Sequence, residues 1–153
     1  MRPKRIFVSY SHKDEALCEE LLNHLSSYES RGLITTWRDR AIDAGDEWKK
    51  VIEQHLENDD IILLLISSSF LASKFCRQSE LRPALKRHQE RTATVIPIIL
   101  RACSWQDEEF ANLNALPKDG LAVTSARNTD EAFKEIAEGI LRVITSNPQM
   151  THS

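Results

Sequence analysis

The chain of 153 residues holds only three cysteines, Cys18, Cys76 and Cys103, and no two of them stand in a C-x-x-C pair. So sparse and odd a set argues against a disulfide framework and against a zinc site, and it suits a reducing cytosol. Long hydrophobic runs are missing as well. The stretch IILLLI is far too short to span a bilayer, and the apolar residues after MRPKR are too few for a signal peptide. Nor is one sign of charge in excess: 20 Lys and Arg face 23 Asp and Glu, for a net charge of -3 and a pI near 6.0. The cations are interleaved with acids, as in RDRAID, so no basic stripe offers itself to nucleic acid or acidic lipid. These absences leave a cytoplasmic domain with no nucleic-acid and no membrane partner as the expectation.

The nucleotide and hydrolase signatures are absent too. No G-x-G-x-x-G follows the first apolar segment, no G-x-x-x-x-G-K-[ST] appears, and no G-x-S-x-G marks a nucleophile elbow. The five histidines, His12, His24, His55, His88 and His152, show no ligand spacing with cysteine or acid, so neither metal nor bound cofactor is expected. A phospho-acceptor receiver would need an acidic pair at the end of its first strand, where this chain has FVSYS.

What is present is an alternation of strand and helix. RIFVSY (5–10), LITTW (33–37), DDIILLLIS (59–67), TVIPIIL (94–100) and LAVTS (121–125) read as strands, although Pro97 sits awkwardly in the fourth. The third is apolar throughout, as in a strand covered on both faces. Helices are expected between them, with Leu17, Leu21, Leu22 and Leu25 inward in the first, and Trp48, Val51, Ile52, His55 and Leu56 at helical spacing in the second. A serine-rich turn then leads to a helix with Phe75, Leu81, Ala84 and Leu85 inward. The last helix, TDEAFKEIAEGILRVI, has Thr129 as its expected cap and Phe133, Ile136, Ala137, Ile140, Leu141 and Ile144 as its stripe. The reading is an α/β fold, a flavodoxin-like doubly wound five-stranded parallel sheet of order 2-1-3-4-5 with helices on both faces. One domain over residues 1–145 and a flexible tail or linker start over 146–153 are expected.

In such a sheet ligands sit beyond the carboxyl ends of the strands, where the winding reverses between the first and third. Ser9-Tyr10-Ser11-His12 leaves the first of these ends, and Ser67-Ser68-Ser69-Phe70 leaves the other. Glu80 lies on the helix that follows the third strand, from which it can lean into the crevice. On fold alone it reads first as an ordinary solvated helix-surface glutamate, ahead of a catalyst.

Four stretches carry a resemblance. RIFVSYSHKDE, TTWRDRAIDAGDEW, DDIILLLISSSFLASKFCRQSEL and LPKDGLAVTSARNTDEAF occur in the order of the boxes of a bacterial TIR (Toll/interleukin-1 receptor) domain of the NAD+-cleaving type, and the likeness runs over about residues 4–145. The resemblance implies cleavage of the nicotinamide–ribose bond of NAD+, a substrate rather than a cofactor, to give nicotinamide and ADP-ribose or cyclic ADP-ribose, in bacterial anti-phage defence. It implies Glu80 as the essential carboxylate, with one carboxylate sufficing because nicotinamide leaves as a neutral molecule. Many relatives place a stacking tryptophan four residues before that glutamate. Here Cys76 holds the place, and the aromatic Phe75 is one residue earlier. The family logic further implies assembly through the loop of residues 38–46, one copy completing the site of the next, and possible fusion to a sensor or effector domain.

Around Glu80 the substrate-binding candidates are Tyr10, Ser11, Arg38, Asp39, Trp48, Phe75 and Cys76. Each has a plainer reading. Tyr10 caps the core, Arg38 and Asp39 pair with loop neighbours, Trp48 and Phe75 pack, and Cys76 fills space. Asp14 reads as a helix-start acid favoured by the dipole. The alternative function is a non-catalytic TIR–TIR interaction scaffold in signalling.

Overall fold

The computed structural model describes residues 2–38 and 46–145, with the side chains of residues 46–48 outside that description. Asp39 and the expected tail at 146–153 therefore lie outside the described residues. Strands β1 (Lys4–Ser9), β2 (Ile34–Arg38), β3 (Ile61–Ile66) and β4 (Thr94–Ile99) form a parallel sheet of order β2-β1-β3-β4. Register pairs include Ile6 with Thr36 and Ile61, and Leu64 with Pro97.

β3 explains the two-sided architecture. All six of its side chains are buried. Ile61, Leu63 and Leu65 enter the layer beneath α1 (Glu15–Ser30) and α5 (Thr129–Thr145), where they meet Leu21, Leu25, Phe133 and Ile136. Ile62, Leu64 and Ile66 enter the opposite layer with Ile52 and Leu56 of α2 (Asp46–Asn58) and Ala84 of α4 (Arg82–Gln89). Two-residue alternation along a fully apolar strand is what feeds both layers.

The flavodoxin-like winding is as expected, but the strand count is four among the described residues. LAVTS does not pair as a fifth strand. Gly120 turns at φ +75°, Leu121 is exposed, and Val123–Ser125 coils into a 3-10 turn. The alternation that suggested a strand is used differently: Ala122 fills one apolar layer and Val123 the other, at the sheet's margin. The chain touches the β4 edge through Leu116 instead, in a single parallel bridge to Ile98.

That edge also resolves Pro97. Leu116 donates its N–H to the Pro97 carbonyl at 2.9 Å and accepts from the Ile99 N–H at 2.8 Å, on the side away from β3. The N–H that proline lacks would have pointed to the same open side, so nothing in the ladder is lost. The Val95 N–H, also on that side, donates to His88 Nδ1 at 3.1 Å. On the far edge of the sheet, the Thr36 N–H donates to Glu29 Oε2 at 3.3 Å.

After β3 the chain makes a short helix, α3 (Ser68–Ala72), breaks at Ser73, and resumes as a π-helical stretch, Phe75–Leu81, that runs into α4. Phe75, expected inward, is 37% exposed. The π turn directs Cys76, Glu80 and Leu81 inward in its place.

Candidate active site

The carboxyl ends of β1 and β3 lie side by side, and the π-helical stretch crosses them. Ser9, the last residue of β1, is fully buried, and its hydroxyl donates to Glu80 Oε1. Glu80 is itself 1% exposed. Four residues earlier, the Cys76 thiol reaches the Tyr10 carbonyl at 3.7 Å. Two contacts thus fix the glutamate-bearing stretch to consecutive residues at the end of β1.

A second buried carboxylate stands close by in the chain. Ser67, just after β3, caps α3 by accepting from the Phe70 N–H at 3.1 Å and donates its own hydroxyl to Asp14 Oδ2 at 2.5 Å. Arg101, just after β4, donates from Nε to Asp14 Oδ1 at 2.7 Å. Asp14, 1% exposed, so ties the segments leaving β1, β3 and β4 together. It makes no side-chain cap on α1.

A third group surrounds Tyr10. Its hydroxyl donates to Glu15 Oε1 at 2.7 Å, while the Arg38 guanidinium donates to Glu15 Oε2 at 2.8 Å and to Glu19 Oε1 at 3.2 Å. Burial, and next the hydrogen bond to Glu15, push the Tyr10 phenol above its ordinary range. Cys18, fully buried beside this cluster, is pushed up to about 12 by burial, with Arg38 pulling the other way. In this arrangement Tyr10 is a core residue with its polar end satisfied, and Arg38 ties the end of β2 to α1.

The remaining candidates are spread out. Ser11 caps the 3-10 turn His12–Asp14 by accepting from the Lys13 N–H at 3.3 Å. Phe75 lines a cleft of about 420 Å³ between α2 and the π-helical stretch, together with Lys49, Glu53, Gln78 and Pro83. Of Trp48 only the backbone is described, within α2. A larger cleft, about 1010 Å³, lies along the outer side of β4 among His88, Trp105, Leu116, Lys118 and Arg142, away from Glu80. No group of three or more His, Cys, Asp or Glu among the described residues could hold a metal ion, and none of the described helices is long and apolar enough to cross a membrane.

Comparison with known proteins decides the family. The TIR domain family profile matches residues 6–137. The chain belongs to the TIR domain family. A curated relative of this TIR domain, the uncharacterized protein y4lF of Sinorhizobium fredii (strain NBRC 101917 / NGR234), is 46% identical over 135 residues, which is 88% of this chain and 42% of that protein. The TIR domain therefore spans less than half the length of that relative. Among solved structures, the TIR domain of the Toll-related receptor TRR-2 of Hydra magnipapillata superposes with a TM-score of 0.51 at 20% identity, over 74% of this chain and 86% of that one. The TIR domains of the activated Roq1 resistosome, which directly recognizes the pathogen effector XopQ, give a TM-score of 0.51 at 19% identity, over 88% and 84%. At those identities the likeness is one of fold.

The sequence placed Ser9 and Ser67 at the mouth of the crevice without giving them a role, and Arg101 was not singled out. Each is the last residue of a strand or follows one closely, and that position was the available signal. In an open α/β sheet, polar side chains at the carboxyl ends of central strands face the crevice.

Proposed function

We propose that this TIR domain cleaves NAD+ at the nicotinamide–ribose bond, with Glu80 as the catalytic carboxylate. The observation that carries the reading is a buried carboxylate, fixed by Ser9, at the place where the strand order reverses. Holding a carboxylate out of water costs on the order of several kcal/mol, so an apolar residue would serve a purely packing role at less expense. In the proposed reaction the C1′–N bond breaks, its electron pair leaves with neutral nicotinamide, and positive charge develops at C1′ and the ring oxygen. Glu80 stabilises that charge. Water then adds to C1′ and releases a proton, giving ADP-ribose; attack by a nitrogen of the adenine instead gives the cyclic product.

In a single copy Glu80 is almost wholly buried, so the proposal includes activation by self-association, with residues 38–46 of one copy reshaping the site of another. A role in anti-phage defence inside bacteria, with further domains in a longer chain, belongs to the same proposal. The burial also favours a second reading, a non-catalytic scaffold for TIR–TIR contacts in which Glu80 is structural.

Nicotinamide release from NAD+ by concentrated protein with a crowding agent tests both. The wild type should release it with a specific activity that falls on dilution. Glu80→Gln, which keeps the volume and an acceptor for Ser9, should lose roughly a hundredfold or more. Equal release by both proteins removes Glu80 from catalysis. Silence from both leaves the scaffold.

A further inference from the structure

The stretch that carries Glu80 is wider than an α-helix, and the sequence contains a reason. Pro83 has no N–H, and in α geometry its ring would press on the carbonyl of Ser79, four residues back. The turns just before it open instead. The Arg82 N–H donates to the carbonyl of Arg77, five residues back, and Phe75–Leu81 takes the π form. Such stretches are rare and gather at functional sites.

The wider turn changes which side chains share a face. At about 100° per residue, an α-helix would set Leu81 about 140° away from Cys76. Here Cys76, Glu80 and Leu81 are buried together, at 3%, 1% and 1% exposure. Downstream, Ala84 is fully buried, so α4 cannot turn to compensate. Upstream, Cys76 and Glu80 hold Tyr10 and Ser9.

We infer that Pro83 is a positioning residue for Glu80: by keeping Phe75–Leu81 in the π form it sets the angle at which the carboxylate meets the end of β1. Closing the wide turn to an α-helix takes out one residue's worth of rotation, about 100°, and swings Cys76 and Glu80 away from Tyr10 and Ser9. The inference rests on the reading of Glu80 as the catalytic carboxylate.

Pro83→Ala tests it, because alanine favours the helix and should leave the domain folded. Two quantities are measured on wild type and variant: kcat and KM for nicotinamide release, and the rate at which iodoacetamide alkylates Cys76, read from its own peptide by mass spectrometry. The expected result is a kcat lower by about tenfold or more, as a misplaced catalytic group costs, with KM within about twofold and Cys76 alkylated several times faster. Pro83→Ser, which is less helix-prone, should move both quantities the same way, with circular dichroism unchanged. Wild-type kcat in the variants, with or without faster alkylation, overturns the positioning role. A silent wild type is a different failure: it removes the catalytic reading of Glu80, and this inference with it.

Discussion

Asp14 stands at the start of α1 and caps nothing; its oxygens are taken by Ser67 and Arg101 from two other segments. A sequence shows such an acid only as a residue next to a helix, because both partners are more than fifty positions away. Glu80 was more legible, since its place after an all-apolar strand set it near the switch point, yet its contact with Ser9 was not. The difference lies in what local pattern encodes. Position along an element can be read from periodicity, whereas pairing across the sheet depends on register and on the π turn. Asp14→Ala should lower stability by about 2 kcal/mol, measured by urea unfolding, because it orphans the buried Ser67 hydroxyl. Arg101→Ala should cost at least as much, since it leaves the buried Asp14 carboxylate, 1% exposed, without the guanidinium that donates to Oδ1. A much smaller cost for Arg101→Ala would mean that the serine, not the arginine, dominates the clasp.

At the scale of elements, the four paired strands and the amphipathic helices were legible from apolar period, and Pro97 fitted once β4 proved to have an open side. Two features were not. LAVTS carries a strand's alternation, but it spends it on plugging both apolar layers at the sheet margin. The break at Ser73 and the π stretch beyond it are hidden because the hydrophobic pattern does not distinguish a wide turn from an ordinary one. The start of α5 gives a smaller example. Thr129 reads as the cap, while the structure has Asn128 Oδ1 accepting the Glu131 N–H at 3.1 Å. Asn128→Ala is therefore expected to lower stability by about 1 kcal/mol, and Thr129→Ala by no more than about 0.5, in thermal or urea melts. The reverse ranking would restore Thr129 as the cap.

For the molecule as a whole, pH should act through groups the fold keeps neutral. The Cys18 thiol titrates at 9.0 ordinarily and at about 12 in the folded domain, and Tyr10 moves in the same direction. A raised pKa means that folding favours the protonated form. The contribution is then complete below about pH 9 and is lost as pH climbs from 9 toward 12. The urea midpoint should stay level from about pH 7 to 8.5 and fall steadily above 9, and Cys18→Ala should flatten part of that fall. An identical alkaline decline in the variant would place the cause elsewhere.

The two borders of the sheet carry a last consequence. On β4 an imidazole takes the free Val95 N–H and a proline withholds another, and on β2 a carboxylate covers Thr36. Backbone templating of one copy on the next is thereby blocked at these positions. Chains of this domain that form at high concentration must adhere through side chains, disperse again on dilution, and leave amyloid dyes dark.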